Sequence, residues 1–132
     1  MRIYLIADGK TAIIPIVPNG IQISNPKDAI EHETINGKIY LKGKMGSKSL
    51  EWESFFPNNK YRFASSGAWN GDDYVKFIEK IREKDIECRC VVVNEDGLSL
   101  MNCLVDISTF SYTYDSVNDI QYKIKVVELK QL

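Results

Sequence analysis

Hydrophobic and polar positions alternate with a period of two along most of this chain, and with a period near 3.6 in one place only. RIYLIAD and KTAIIPIVP read as two strands joined at Asp8-Gly9, a hairpin signal; Pro15 and Pro18 put the second at an edge or end it early. NGIQISNPKDAIEHE alternates at Ile21 and Ile23 and breaks at Asn25-Pro26. TINGKIYLKGK carries a second tight-turn signal at Asn36-Gly37, and SLEWESFFP follows the loop KMGSK. The polar stretch NNKYRFASSGAWNGDD predicts a loop. ECRCVVV, LSLMNCLVDISTFSYTYD and DIQYKIKVVELKQL are further strands, with a turn at Asn94 to Gly97 between the first two. In the last, the apolar phase slips at Val126-Val127, which predicts a β-bulge there.

The helical period belongs to DDYVKFIEKIREKD, where Tyr74, Phe77, Ile78 and Ile81 form one apolar stripe. Asp72 is placed to cap it, Asp73 lies near the positive end of its dipole, and Lys80, Arg82 and Lys84 load its last turn. Such a helix is suited to lie on a sheet. The expected fold is mostly β with one α-helix inserted between the fifth or sixth strand and the final three. Closure removes exposed edges, so a small, partly open β-barrel capped by the helix is expected.

With 132 residues, the chain suits a single domain spanning 1–132. Its 17 basic and 18 acidic side chains give no overall footprint for nucleic acid or anionic lipid. No apolar run approaches the roughly 18–20 residues that span a bilayer, and MRIYLIADGKTAIIPIVP lacks the organisation of a signal peptide. The expected site of folding is a cytoplasm. Three cysteines agree: Cys88 and Cys90 share a strand face, and all three read as buried structural thiols rather than zinc ligands or redox groups. C-x2-C spacing is absent, and His32 lies far upstream in AIEHETI.

Catalytic constellations are not evident. His32 between Glu31 and Glu33 reads as a solvated strand residue, and Ser47, Ser49 and Ser54 form no G-x-S-x-G elbow. KGKMGSKS lacks phosphate-loop spacing, since Gly43 and Gly46 stand three apart. Asp72-Asp73 and Glu51/Glu53 read as helix-start charge and a solvated strand face. No enzyme activity, cofactor or metal is expected. Tyr112 and Tyr114 alternate with Phe110 on one face; that row either packs against the helix, the preferred reading, or stacks sugars together with Trp69.

The order of several short motifs is more specific than any one: Asn25-Pro26, Leu41 to Gly46 as L-x-G-x-x-G, Ser54 to Pro57 as S-F-F-P, Tyr74 to Arg82, and Tyr122 to Leu129 after an aromatic-rich strand. In that order the chain resembles the N-terminal domain of LysM-bearing tail proteins of contractile phages, defective prophages and phage-tail-like bacteriocins. The resemblance implies a tail-tube-like barrel and a structural role at the baseplate hub, or joining tail tube to baseplate. Its implied partners are tube, hub and wedge proteins, with a homo-oligomeric ring as one arrangement. Small-molecule substrates, sequence-specific nucleic acid and membrane insertion are not expected. Family members often continue into a LysM domain, whereas this sequence stops at Lys130-Gln131-Leu132, so no LysM domain is expected within it. A stand-alone carbohydrate- or peptidoglycan-binding β domain using Trp69, Tyr112 and Tyr114 is the alternative, and a small zinc or redox protein is a third.

SLEWESFFP poses the sharpest local question. Alternation points Leu50, Trp52 and Phe56 inward and leaves Phe55 on the face of Glu51 and Glu53. Phe55 and Trp69 lead the candidate subunit-interface residues, with Phe56 and Pro57 beside them.

Overall fold

A computed structural model describes residues 1–34, 37–59 and 69–129, with backbone alone for 27–34 and 37–45. Among them the strands are β1 (Arg2–Ala7), β2 (Lys10–Ile13), β3 (Gln22–Ser24), β4 (Lys27–Thr34), β5 (Gly37–Met45) and β6 (Ser49–Phe56). Helix α1 (Gly71–Glu83) follows, and then β7 (Cys88–Val93), β8 (Ser99–Tyr114) and β9 (Ile120–Glu128). Six strands thus precede the helix and three follow it, as the alternation implies. β4 and β5 form a separate antiparallel pair; the Asn36-Gly37 turn expected between them starts outside the described residues.

The other seven strands make one antiparallel sheet in the order β2-β1-β7-β8-β9-β6-β3. Its first turn is the predicted one: Asp8 and Gly9 have φ of 53° and 72°, the left-handed pair that a two-residue hairpin needs. In a flat sheet β2 and β6, five strand spacings apart in this order, would be separated by about 24 Å. Yet the Ser54 hydroxyl of β6 donates to the carbonyl of Ile16 at 2.8 Å. Ile16 is only three residues beyond β2, a reach of about 10 Å. The sheet is therefore strongly curved. It is not a closed barrel, because among the described residues β2 and β3 remain unpaired edges.

Helix α1 ties the two lips together. The Tyr74 ring stacks on Phe56 of β6, its hydroxyl donates to the carbonyl of Ile13 at the end of β2 (2.5 Å), and Lys80 pairs with Asp8 in the β1–β2 turn. All four residues of the predicted stripe are buried, together with Val75. The expected cap is not used. Asn70 occupies the N-cap position without a side-chain cap bond, and the Asp72 carboxylate instead accepts from the Tyr114 hydroxyl of β8. Gly71 explains why the helix starts there. A Cβ on it would lie 2.8 Å from the Phe56 carbonyl oxygen and 2.9 Å from Asn58 Oδ1, so only glycine lets the helix abut β6 so closely.

Inside the curve Phe56 is sandwiched between Tyr74 (centroids 4.7 Å apart, 10° between planes) and Tyr122 (3.9 Å, 7°). Trp52 meets Tyr122 edge-on and donates its indole N–H to the Tyr122 hydroxyl at 2.7 Å. Burial pushes the Tyr122 phenol well above its ordinary pKa, so it stays protonated. The irregularity near Val126 lies on the neighbouring strand rather than in β9. β6 pairs regularly with β9 from Ser49↔Val127 to Phe56↔Ile120, whereas the β8 register slips between Ile107 and Thr109. Ser108 is the extra residue, and it displaces the apolar phase opposite Val126 and Lys125.

Two substitutions test this packing by urea denaturation. Gly71→Ala is expected to lower stability by about 1–3 kcal/mol, because a backbone carbonyl cannot swing away as a side-chain end can. Tyr122→Phe removes the acceptor of a buried indole N–H and is expected to cost about 1–3 kcal/mol. An unchanged midpoint in either variant contradicts the packing.

Candidate functional site

The candidate interface residues divide. Phe56 has no exposed surface, and Pro57 is buried too, so both are corrected to interior positions: their surface is consumed within this chain, Phe56 between Tyr74 and Tyr122. Phe55 lies on the opposite face of β6, half-buried, as alternation requires. There it lines a shallow groove of about 530 Å³ with Glu53, Ser111, Thr113, Gln121 and Lys123. Lys123 bridges Glu53 at 3.4 Å and Glu51 at 3.7 Å across β9 and β6. These pairs are solvent-exposed and set the hydrophilic character of the surface more than its stability.

Trp69 is elsewhere. It stacks on Tyr74 (5.3 Å) and meets Phe77 edge-on (5.2 Å), half-buried against the core. Its backbone N–H donates to the Tyr74 hydroxyl at 3.2 Å. With Phe77, Ile81 and Ile86 it floors a cavity of about 520 Å³ between α1 and the β1–β2 turn. The mouth carries Lys10, Lys76 and Lys80 against Asp8 and Asp73. Lys80 and Asp8 are paired at 2.8 Å, and the bond and charge of Lys80 hold the Asp8 carboxyl below its ordinary range, helped by Lys10 and Lys84.

Phe110, Tyr112 and Tyr114 form the expected row, with ring centroids 5.4 Å and 6.5 Å apart. Phe110 is buried, whereas Tyr112 and Tyr114 run beyond the core and are exposed. Trp69 does not join them, since it belongs to the separate cavity. The three aromatics of the sugar-stacking reading therefore do not converge.

Below that row is a polar clasp that sequence reasoning passes over. Asp119, nearly fully buried, accepts from the backbone N–H of Asn58 (2.8 Å) and Asn59 (3.3 Å) and from the Asn59 side-chain amide (2.9 Å). The amides of Asn58 and Asn59 also donate to the carbonyls of Asn118 and Val117. Its sequence signal is two Asx-rich stretches, Asn58-Asn59 and DSVND, separated by some sixty residues and ordinary as loop composition.

Cys90 stands directly opposite Cys103 across β7 and β8, and Cys88 lies two residues along the same buried face. Burial pushes the thiol of Cys88 up to about 11 and that of Cys90 to about 12, while Cys103 is half-buried and less strongly perturbed. Among the described residues no three His, Cys, Asp or Glu side chains are grouped to hold a metal ion. The side chain of His32 lies outside what is described.

No family model and no curated protein sequence matches the chain. Solved structures do share its fold. A chain of the PVC sheath–tube complex, an extracellular contractile injection system in its extended state, matches 98% of this chain and 85% of its own length. Its TM-score is 0.50 at 16% identity. The tube-terminating cap of the anti-feeding prophage matches 96% of this chain and 84% of its own length, with a TM-score of 0.50 at 10% identity. A chain of the PVC sheath/tube terminator, also extended, covers 98% of this chain at 17% identity with a TM-score of 0.48. The curved sheet with helix α1 is thus a fold found in contractile injection systems.

The cysteine geometry is open to a direct check. At pH 8 a thiol reagent such as DTNB is expected to modify Cys103 first, and Cys88 and Cys90 only after denaturation, because raised pKa and burial both suppress their thiolates. Rapid native labelling of Cys90, read by mass spectrometry, contradicts the burial described here.

Proposed function

We propose that this protein is a structural subunit of a contractile tail or tail-like particle, acting by assembly with other tail proteins rather than by catalysis. The carrying observation is the fold match, which extends over 98% of the chain to a component of a sheath–tube complex. The ordered motifs from Asn25-Pro26 to Leu129 point to the same class independently. We assign the chain to the tube axis, at the baseplate hub, the tube–baseplate joint or the tube end, with tube and hub proteins as its neighbours. Phe55 and Trp69 are its two contact candidates on separate surfaces, one on the outer sheet face and one in the cavity wall.

The test is incorporation. With a tagged chain expressed in a particle-producing host, the protein is expected to co-sediment with intact particles, and gold label is expected at a fixed axial level. Phe55→Ala is expected to reduce incorporation well beyond any fall in melting temperature, since Phe55 is only half-buried and lies on the face of β6 opposite the aromatic core. A tagged chain that stays wholly in the soluble fraction while particles assemble overturns the reading.

A further inference from the structure

Two features of the surface have opposite character and stay apart within one chain. The first is the tip between β8 and β9. Three apolar side chains are exposed within six residues there: Tyr112 at 43%, Tyr114 at 48% and Val117 at 59%. A single exposed valine is unremarkable in a soluble protein. This one stands on a fixed turn. Asp115 Oδ1 accepts from the N–H groups of Val117 and Asp119, both at 3.0 Å, and Asn58 and Asn59 hold the carbonyls of Asn118 and Val117 at 2.8 Å and 2.9 Å. The backbone is thereby ordered in advance, while the Val117 side chain is left to solvent, so little ordering entropy remains to be lost when a partner meets it. The tip is also acidic. Residues 111–120 contain no lysine or arginine; Asp119 is buried beneath the turn, so the acid at the surface is the half-buried Asp115 and the exposed Asp72, which is tied to Tyr114.

The second feature is the cavity between α1 and the β1–β2 turn. Its volume is in the usual range for a recognition pocket, its floor is aromatic and aliphatic, and its mouth has more amines than carboxylates. Asp8 is already taken by Lys80, whereas Lys10 and Lys76 make no ion pair among the described residues. None of residues 111–119 lines the cavity of its own chain. The tip is held at the first turn of the helix through Asp72, and the mouth follows another stripe through Lys76 to Lys80 near its end.

Resting on the assembly role proposed above, we infer that the β8–β9 tip of one copy, with Val117 leading, enters the Trp69–Phe77–Ile81 cavity of a second copy, the Asp115 and Asp72 carboxylates beside it meeting Lys10 and Lys76. The two surfaces differ, so the contact is heterologous: each copy offers a tip and a cavity, and repetition yields a ring or a filament rather than a two-fold pair. The acid–base match sets the register and speeds encounter, and the buried apolar side chain slows dissociation.

The experiment is a mixed-isotope photo-crosslink on the full chain. Val117→p-benzoylphenylalanine in unlabelled protein is mixed with 15N-labelled wild type, both in purified form and within particles, and crosslinked peptides are identified by mass spectrometry. The expected products join the light tip to heavy peptides containing Lys10 or the Trp69–Ile81 segment. Lys10→Glu with Lys76→Glu in the heavy partner is expected to reduce them about tenfold or more at unchanged melting temperature. Crosslinks confined to one chain, directed to another surface of the second copy, or absent in both preparations overturn the contact. In particles, a crosslink from Val117 to a different tail protein also overturns it, yet leaves the assembly reading standing. The converse separation is equally clear: self-crosslinking in solution by a chain that never enters particles keeps the contact and defeats that reading.

Discussion

The ring stack Tyr74–Phe56–Tyr122 is the interaction on which the remaining structure depends. Tyr122 belongs to β9, Phe56 to the end of β6, and Tyr74 to the first turns of α1, so three planar side chains join sheet to helix without an intervening layer. Close approach is possible because Gly71 presents no Cβ to the Phe56 carbonyl. Polar groups of the same rings are spent locally: Tyr74 on Ile13 and Tyr122 on Trp52. A buried hydroxyl or indole N–H without a partner carries a desolvation penalty of about 1–3 kcal/mol, so these bonds specify one packing among the many that apolar rings alone would tolerate.

Curvature follows from that stack. With α1 held on β6, Tyr74 and Lys80 reach the end of β2 and the β1–β2 turn, and Ser54 reaches Ile16. The two ends of the sheet are thus drawn toward each other by side-chain bonds across the gap instead of by a strand ladder. The result, among the described residues, is a curved sheet with two free edges, one at β2 and one at β3. It leaves a cavity where the helix stands off the β1–β2 turn, and an exposed hairpin tip where β8 outruns the core. Both are the surfaces proposed above for contact between copies.

Local rules and long-range contacts parted at identifiable residues. Asp72 has the composition of an N-cap and the right spacing for one, but Tyr114 from a strand forty-two residues later takes its carboxylate. The slip expected at Val126-Val127 is absent from β9, which alternates through Val126 and leaves Val127 half-buried on the other face; the extra residue is Ser108 in β8, where the buried set passes from Ile107 to Phe110. Phe55 and Phe56 were told apart by parity alone, whereas the fate of Pro57 depended on what the next residues bonded to. Asn58 and Asn59 dock on the buried carboxylate of Asp119, and no local signal pairs them with it.

By itself the sequence determined the elements: the strand alternation, the one amphipathic helix with Tyr74, Phe77, Ile78 and Ile81 inward, the hairpin at Asp8-Gly9, and the inward set Leu50, Trp52 and Phe56. Those follow from periods of two and 3.6 and from φ preferences, which are properties of neighbouring residues. Tertiary structure alone decided the strand order, the open curvature in place of a closed barrel, the meeting of Trp69 with three lysines around one cavity, and the rigid exposure of Val117. Each of these depends on which distant segments share surface and hydrogen bonds. That pairing is a free-energy comparison over the whole chain, and no window of it contains the answer.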